Sequence, residues 1–308
     1  MAETYPPGPA IDSRLQRLVA PNPSPMTAEG TNTYILGKSE VAIIDPGPML
    51  DSHLAAIVDA VAGRRVVGIL VTHAHRDHSP AAAPLARRVG APVMAFGTAA
   101  AGRSEAMRAL PATGGEGVDT TFAPDVALPD GAEVAGDGWR LRAIWTPGHM
   151  ANHLSFHWIE GRAVFTGDTV MGWASTLISP PDGDVGQYMT SLDRLEATDA
   201  RRFHPGHGDP VAAPAARCRE LRTHRRTREA EILAALDESD RIPDIVARVY
   251  ADTPPTLHVA AARNVLAHLI HLAEQGRAAS DGPPGPDALW RRFPENPQVP
   301  LAQTGRLG

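Results

Sequence analysis

Short apolar runs of strand length dominate the first two thirds of the chain. Five of them are too short for a helix and continuous enough for buried strands: TYILG (33–37), VAIID (41–45), VVGILVT (66–72), LSFHW (154–158) and AVFTG (163–167). Between them, stretches such as SHLAAIVDAV repeat apolar residues at helical spacing. This alternation predicts an α/β fold in which helices cover layers of sheet.

The pattern changes near residue 212, where helical periodicity replaces the strands. One long helix is predicted within 214–237, and two shorter helices follow at 243–250 and 257–276. The last one carries an apolar stripe that repeats every three or four residues: Leu257, Ala261, Val265, Leu269 and Leu272. A turn rich in Gly and Pro and the segment ALWRRF come next. Three helices and a β-hairpin are typical of a winged helix, which we expect here.

The composition limits the classes of function that remain open. Of 308 residues, 43% are hydrophobic and 21% are charged, which is enough for a buried core, and the net charge of −6 gives no general basic surface for nucleic acid. Cys218 is the single cysteine, which excludes an intrachain disulfide and a cysteine-rich zinc module. The N-terminus lacks a signal-peptide pattern and no apolar run is long enough to cross a bilayer. We therefore expect a cytoplasmic protein with no membrane partner.

The segment VTHAHRDHSPA follows the third predicted strand and holds three histidines and an aspartate within six positions: His73, His75, Asp77 and His78. Alternate residues of an extended loop point the same way, so His73 and His75 can hold one ion. Asp77 and His78 lie past the turn, where they can reach another. Imidazole nitrogens and carboxylate oxygens suit zinc, with iron and manganese as alternatives.

Three further segments carry ligand-type residues at the ends of predicted strands. They are His149 in TPGHM, Asp168 in FTGDT and His207 in PGHG. Taken singly, a loop histidine is more often solvated and a loop aspartate more often caps a turn. Taken together, four such segments, three of them with glycine beside the ligand, favour a metal site.

These motifs, HAHRDH, TPGH, GDT and PGHG in this order, resemble those of the metallo-β-lactamase superfamily. The resemblance covers roughly residues 30–210 and implies an αββα sandwich with a two-metal site at one edge of its sheets. EGTNTYILG (29–37), STLISPPDGDVGQYMTSLDRL (175–195) and the terminal winged helix further resemble the beta-lactamase-like protein 2 group. That group includes a mitochondrial single-strand-specific endoribonuclease and many bacterial hydrolases.

The resemblance implies a complete set of ligands for two zinc ions. The first ion would be held by His73, His75 and His149, the second by Asp77, His78 and His207, with Asp168 as the bridge.

Two more residues would support these ligands. Asp45, in IIDPG, resembles a buried carboxylate that steadies the histidine segment, and His153 lies four residues after His149. A turn-ending aspartate and a core histidine are the plainer interpretations of these two positions.

The resemblance also implies a mechanism. Two metals about 3.5–4 Å apart share a water, lower its pKa and supply a hydroxide that attacks a carbonyl carbon or a phosphorus. No protein nucleophile is then needed, and Asp77 would act as a catalytic residue that orients the water. The segment MGWASTLI (171–178) is expected at the pocket rim, where Trp173, Ser175 and Thr176 are candidate substrate contacts. A packed loop explains these three equally well.

Absent motifs exclude several relatives but leave the substrate open. The chain has no cysteine ligand after TG, no Gly-Cys-Gly-Arg stretch after GDT and no elongated RNA-processing insert. We expect a hydrolase of an ester, thioester, lactone or phosphodiester bond, acting on a small ester-like molecule. The alternatives are a single-strand endoribonuclease and a non-catalytic regulator that binds nucleic acid through the winged helix.

The long helix affects the choice between a small-molecule hydrolase and an RNA-binding protein, because residues 217–231 include six arginines and three glutamates. Arg222, Arg225 and Arg226 would contact phosphates if this helix binds RNA. The plainer interpretation is a solvated helix face, with the winged helix serving a homodimer or the pocket rim.

Four segments are therefore predicted along the chain. They are an extended lead-in (1–29), a metallo-β-lactamase catalytic domain (30–211), a winged-helix domain (212–295) and a disordered tail (296–308).

Overall fold

The computed structural model of the protein describes residues 12–111 and 117–293. The chain divides into two compact units, and the division falls between Thr227 and Arg228. The predicted tail and residues 1–11 of the predicted lead-in lie outside the described residues. No helix within the described ranges is long and apolar enough to span a lipid bilayer.

Six strands form the first sheet of the first unit and lie side by side in chain order. They are β1 (Leu15–Val19), β2 (Asn32–Gly37), β3 (Glu40–Ile44), β4 (Arg65–Leu70), β5 (Val93–Ala95) and β6 (Val126–Ala127). The first three pair antiparallel, and β3 to β6 pair parallel. The strand β1 lies within the predicted lead-in, which is therefore more than a connecting segment. Its side chains are only partly buried, so no continuous apolar run marks it in the sequence.

Five strands form the second sheet in the order β11-β10-β9-β8-β7. They are β7 (Glu133–Gly136), β8 (Trp139–Trp145), β9 (Leu154–Trp158), β10 (Ala163–Gly167) and β11 (Arg202–Pro205). All neighbours pair antiparallel except β10 and β11, which pair parallel. The runs predicted at 154–158 and 163–167 coincide with β9 and β10.

Successive residues of the first sheet face opposite layers, as the two-residue period of a strand requires. Ile43 and Ile69 pack with Leu54 of helix α1 (Asp51–Ala60) and Leu85 of helix α2 (Ala82–Val89). Their neighbours in sequence, Ile44 and Leu70, instead pack with residues of the second sheet such as Leu141, Phe156 and Phe165.

Three more helices belong wholly or partly to the first unit: α3 (Glu105–Ala109), α4 (Val185–Glu196) and α5 (Pro214–Ala235). Helix α4 reaches the end of β8, where Arg194 donates a 2.6 Å hydrogen bond to the Trp145 carbonyl. The predicted αββα sandwich is confirmed. The elements α3, β6 and β7 were not predicted, because segments of two to five residues are too short to show a period.

The second unit contains the predicted winged helix. Helices α6 (Ile242–Val249) and α7 (His258–Glu274) are followed by an antiparallel hairpin of β12 (Ala278–Ser280) and β13 (Trp290–Arg292). The α7 stripe is buried at Ala261, Val265, Leu269 and Leu272, while Leu257 is half-buried in a 3-10 turn before the helix. The winged-helix prediction is confirmed.

Helix α5 crosses the division between the units, so its residues 214–227 belong to the first unit. Cys218 and Leu221 are buried there, and Arg222 pairs with Asp193 (2.6 Å) and Glu196 (2.7 Å) of α4. Arg225 is 2% exposed. The RNA alternative, in which Arg222 and Arg225 would contact phosphates, loses support because these guanidinium groups are already engaged in the fold. Arg226 is exposed.

A buried histidine in β11 has a consequence for the stability of the sandwich. His204 is 4% exposed, stacks on Phe165 with ring centroids 5.3 Å apart, and meets Tyr34 edge-on at 5.4 Å. Its Nδ1 has no hydrogen-bond partner within the described residues. Burial lowers the pKa of His204 to about 3. The folded state therefore resists a proton that the unfolded chain takes up below about pH 6.5, and folding stability falls as the pH drops below that value.

We predict that His204→Phe removes this dependence and keeps the aromatic packing. Between pH 7.5 and 5.5 the variant should gain about 1.4 kcal/mol of unfolding free energy relative to the wild type, because one pH unit below the unfolded pKa is worth about 1.36 kcal/mol. Urea unfolding at both pH values measures the difference, in which contributions common to the two proteins cancel. Identical pH dependence in both proteins would show that His204 takes up its proton equally well in the folded state.

Candidate metal centre

The histidine loop, residues 71–78, follows β4 and turns tightly. The His78 amide donates a 3.0 Å hydrogen bond to the His75 carbonyl, which folds the second half of the loop back on the first. His73 and His78 are fully buried, His75 is half-buried, and the Asp77 side chain is 29% exposed. Four ligand-type side chains are thus held close together at one strand end.

The first predicted ligand group meets at the point where this loop faces the turn after β8. His75 Nδ1 lies 2.9 Å from His73 Nε2 and 3.0 Å from His149 Nε2. The three ligand atoms of this group all lie within 4.8 Å of one another.

The second predicted group, Asp77, His78 and His207, meets beside the first. His207 Nε2 lies 3.3 Å from His78 Nε2 and 3.2 Å from Asp77 Oδ2. Asp168 lies between the two groups: its Oδ2 is 3.3 Å from His207 Nε2 and 3.7 Å from His149 Nε2. The structure therefore brings all seven predicted ligands together and places Asp168 where a bridge would be.

The ring nitrogens that face away from the centre are held by oxygen atoms. His149 Nδ1 donates to the Leu177 carbonyl at 2.8 Å, and His207 Nδ1 donates to the Gly30 carbonyl at 3.1 Å. A carbonyl can only accept, so a proton lies on Nδ1 of each ring, and the Nε2 lone pair faces the centre whenever the ring is neutral. This is the tautomer that a metal ligand needs.

Asp45 orients the histidine loop from beneath. Its carboxylate accepts hydrogen bonds from the Thr72 amide (2.8 Å), the Thr72 hydroxyl (2.8 Å) and His78 Nδ1 (2.9 Å). The Thr72 hydroxyl in turn accepts from His73 Nδ1 at 2.9 Å. Asp45 has a φ of 50°, a strained conformation for a residue other than glycine, and the Thr33 hydroxyl donates to its carbonyl at 2.6 Å. The structure thus places Asp45 where the predicted supporting carboxylate would lie.

His153 supports the turn that carries Asp168. It is fully buried, its Nε2 accepts a 3.2 Å hydrogen bond from the Asp168 amide, and its ring stacks on His73 at 5.0 Å. Gly167 makes this approach possible, because a Cβ there would lie 2.5 Å from His153 Nε2 and the φ is 46°.

The electrostatics differ between the two groups. Burial holds the pKa of His73 well below its ordinary value and lowers that of His75 to about 3, so these rings are neutral. Burial also acts to lower the pKa of His207, but Asp168 and Asp77 outweigh it and raise the value to about 9. The carboxylates therefore attract positive charge to the space beside His78 and His207.

The residues present fit transition-metal ions. Asp168 Oδ1 is buried and has no hydrogen-bond partner in the part of the chain that the structure describes, although an ionised carboxylate needs one. Gly206 leaves room beside it, since a Cβ there would lie 2.4 Å from that oxygen. Five imidazoles and two carboxylates are a donor set typical of zinc, iron or manganese.

The three candidate substrate contacts lie in different surroundings. Trp173 is 46% exposed and adjoins the His207 turn, where a Cβ on Gly208 would be 2.7 Å from Trp173 Cδ1. Ser175 is exposed. Thr176 is 2% exposed and its hydroxyl lies 2.9 Å from His149 Nδ1. The prediction for Thr176 is therefore corrected: its hydroxyl supports a ligand and is out of reach of a substrate.

Comparisons with known proteins agree with this fold. Residues 26–207 match the model of the metallo-beta-lactamase superfamily, and residues 242–290 match that of the beta-lactamase associated winged helix domain. The chain belongs to the metallo-β-lactamase superfamily and is a metal-dependent hydrolase of that superfamily.

Individual relatives extend over nearly the whole chain. It is 32% identical to a beta-lactamase-like protein 2 homolog of Caenorhabditis elegans, over 86% of each chain. It is 30% identical to an atrochrysone carboxyl ACP thioesterase of Aspergillus fumigatus, over 78% of this chain and 71% of that protein. A metallo-beta-lactamase family protein of Thermus thermophilus superimposes with a TM-score of 0.73 at 27% identity, over 92% of this chain and 100% of that one.

We predict that Asp45→Asn weakens the binding of the ion beside His78 by about 10- to 100-fold, the usual effect of losing a partner of a ligand. Asparagine keeps the shape but offers a single acceptor oxygen and no charge. Competition with a chromogenic chelator measures the affinity. Asp119→Asn is the matched control, because Asp119 accepts a 2.9 Å hydrogen bond from Ser79 on the same turn without touching a ligand. Equal affinities in the two variants would contradict the role of Asp45.

Proposed function

We propose that the protein hydrolyses an ester or thioester bond in a small molecule that carries an apolar group, with two zinc ions as cofactors. The observation that carries this proposal is the meeting of the two ligand groups on either side of Asp168, whose Oδ2 lies within 3.7 Å of His149 and 3.3 Å of His207. Two ions held there would activate a water molecule and polarise the scissile carbonyl.

The residues of the chain have separate tasks in this proposal. His73, His75 and His149 hold one ion, and Asp77, His78 and His207 hold the other, with Asp168 between them. Asp77 is the most exposed of the ligand-type carboxylates, at 29%, so one of its oxygens can orient a water that enters from solvent. The buried partners Asp45 and His153 keep the ligands in place.

The surroundings of the site favour an apolar substrate. Three exposed apolar side chains lie in loops that hold the ligands: Met26, Met49 and Trp173. The Met26 loop supplies the Gly30 carbonyl to His207, and Gly47, two residues before Met49, donates a 3.0 Å hydrogen bond to the His78 carbonyl. Exposed apolar side chains in loops that border a site are available for contact with an apolar ligand.

A cleft beside the histidine loop supports the same substrate class. It has a volume of about 450 Å³, and its lining includes Met49, Arg76 and Phe122. Arg76 is exposed and lies between His75 and Asp77 in the sequence. The Asp119 carboxylate lines the cleft together with the Arg76 guanidinium, so the lining favours no particular charge, and its apolar walls suit an acyl chain. The thioesterase name of the Aspergillus fumigatus relative supports an acyl substrate.

The endoribonuclease alternative has weaker support. Of the three arginines predicted to contact RNA, Arg222 is paired with acidic residues of α4 and Arg225 is buried. Because the chain is similar to beta-lactamase-like protein 2 homologs, single-stranded RNA should still be tested as a substrate.

We predict zinc-dependent turnover of thioesters and esters of medium-length acyl chains, with no cleavage of single-stranded RNA. Asp168→Ala should lower kcat/KM more than about a hundredfold. Mutating a residue that only supports a metal ligand already lowers activity by about 10- to 100-fold, and Asp168 is a ligand itself in this proposal. Asp209→Ala is the control, because Asp209 follows the His207 turn, its side chain is 79% exposed and it pairs with Arg17 at 3.3 Å. Efficient RNA cleavage without acyl hydrolysis would reverse the proposal.

We predict that Trp173→Ala raises KM for the longer acyl substrates by about 5- to 30-fold and leaves kcat nearly unchanged. The reason is the loss of apolar contact area worth about 1–2 kcal/mol in binding. Steady-state kinetics over a series of acyl lengths tests this. Val126→Ala, which shortens an exposed apolar side chain of β6, serves as the control. An unchanged KM across the series would remove Trp173 from the substrate site.

A further inference from the structure

Two arginines in the part of α5 that belongs to the first unit, residues 214–227, hold the rim loop, residues 171–178. Arg217 donates hydrogen bonds to the Met171 and Ala174 carbonyls, both at 2.8 Å. Arg225 donates to the Thr176 carbonyl. Residues 171–184 contain neither helix nor strand, so these carbonyls obtain their donors from side chains.

The loop held in this way is the one that orients His149. The Leu177 carbonyl accepts from His149 Nδ1 at 2.8 Å, and the Thr176 hydroxyl lies 2.9 Å from the same nitrogen. Arg225 is therefore connected to a predicted metal ligand through a single residue, Thr176. A shift of the Thr176 carbonyl would move both oxygens that fix the His149 ring.

Arg225 also lies against the residue that supports the other side of the centre. Its guanidinium lies 5.3 Å from the ring centroid of Tyr188. The Tyr188 hydroxyl donates a 3.0 Å hydrogen bond to the Thr169 carbonyl, next to Asp168. A Cβ on Gly148 would lie 2.4 Å from Tyr188 Cα, so Tyr188 also packs against the turn that carries His149. Helices α4 and α5 thus support the two turns with adjacent side chains.

The burial of Arg225 indicates that its hydrogen bond to the Thr176 carbonyl helps to fix the rim loop. Taking a guanidinium out of water costs several kcal/mol, and arginine is rarely buried unless its donors are used. At 2% exposure, Arg225 meets a backbone carbonyl and an aromatic face, which together favour a fixed position for the carbonyl. A loop held only by weaker contacts would let the Leu177 carbonyl drift from His149.

We infer that Arg225 is a positioning residue for the metal centre and acts through Thr176 and Leu177 on His149. It sets the affinity for the ion held by His73, His75 and His149 and leaves the other ion nearly unaffected. This inference rests on the proposed two-metal function. Residues 214–227 of α5 would then help to position the ligands of the metal centre.

The test uses full-length protein and Co²⁺, whose absorption spectrum reports the geometry of each site. Arg225→Met keeps the length and apolar packing but removes the donor, and Arg225→Lys restores a cationic donor without the planar group. Arg222→Met is the matched control, because it removes a partly buried arginine three residues away that pairs with Asp193 and Glu196 of α4. His149→Ala and His207→Ala identify which step of a Co²⁺ titration belongs to which ion.

We expect Arg225→Met to weaken the step that His149→Ala abolishes by about 10- to 100-fold, and to leave the step identified by His207→Ala within about threefold. Arg225→Lys should show a smaller loss in the same step, and Arg222→Met should bind both ions as the wild type does. Thermal unfolding of the metal-free proteins checks that each variant folds. If Arg225→Met does not fold, the lysine variant alone must show the selective loss.

Two outcomes separate this inference from the function on which it rests. Wild-type protein that binds fewer than two Co²⁺ ions would defeat the two-metal function itself. Wild-type protein that binds two ions, with Arg225 variants that match Arg222→Met or that lose both ions equally, would overturn the inference and leave the function standing.

Discussion

Negative charge buried at the strand ends is the constraint on which the rest of this structure depends. Asp45 and Asp168 are almost fully buried, and Asp77 is mostly so. Removing an unpaired carboxylate from water costs several kcal/mol, so each requires positive charge or donors close by. Thr72 and His78 meet this need for Asp45, but Asp168 Oδ1 has no hydrogen bond within the described residues. Cations held between the imidazoles would satisfy the remaining charge.

The two sheets are arranged so that every ligand follows the end of a strand. The histidine loop follows β4, and the turns with His149, Asp168 and His207 follow β8, β10 and β11. Because these ends share one edge of the sandwich, residues far apart in sequence reach one small volume. The rings of His149 and His207 donate hydrogen bonds to loop carbonyls, while the Thr72 hydroxyl and the Asp45 carboxylate hold the rings of His73 and His78.

The sequence predicted the sandwich well where strands are long and apolar. Runs such as 163–167 are buried on both faces, so their pattern is unambiguous. The partly buried edge strand β1 and the two-residue β6 gave no such signal. The ligand residues were also recognisable, because metal chemistry restricts both their type and their place at strand ends.

The supporting residues were far less predictable. Thr176 was a candidate substrate contact, and Arg225 was a candidate phosphate contact under the RNA alternative, yet both are buried. Their roles depend on which carbonyl lies next to which ring, and this proximity arises only when α5 packs on the sandwich. Such a contact cannot be predicted from the local sequence, because it joins residues that are distant along the chain. The sequence of α5 suggests a solvent-exposed charged face, so only the structure shows that Arg225 is buried.

Anomalous diffraction at the zinc edge, from crystals of the zinc-loaded protein, tests the central claim most directly. Two peaks are predicted. One lies among His73, His75 and His149, the other lies among Asp77, His78 and His207, and Asp168 contacts both. A single peak, or peaks away from these side chains, would contradict the two-metal centre.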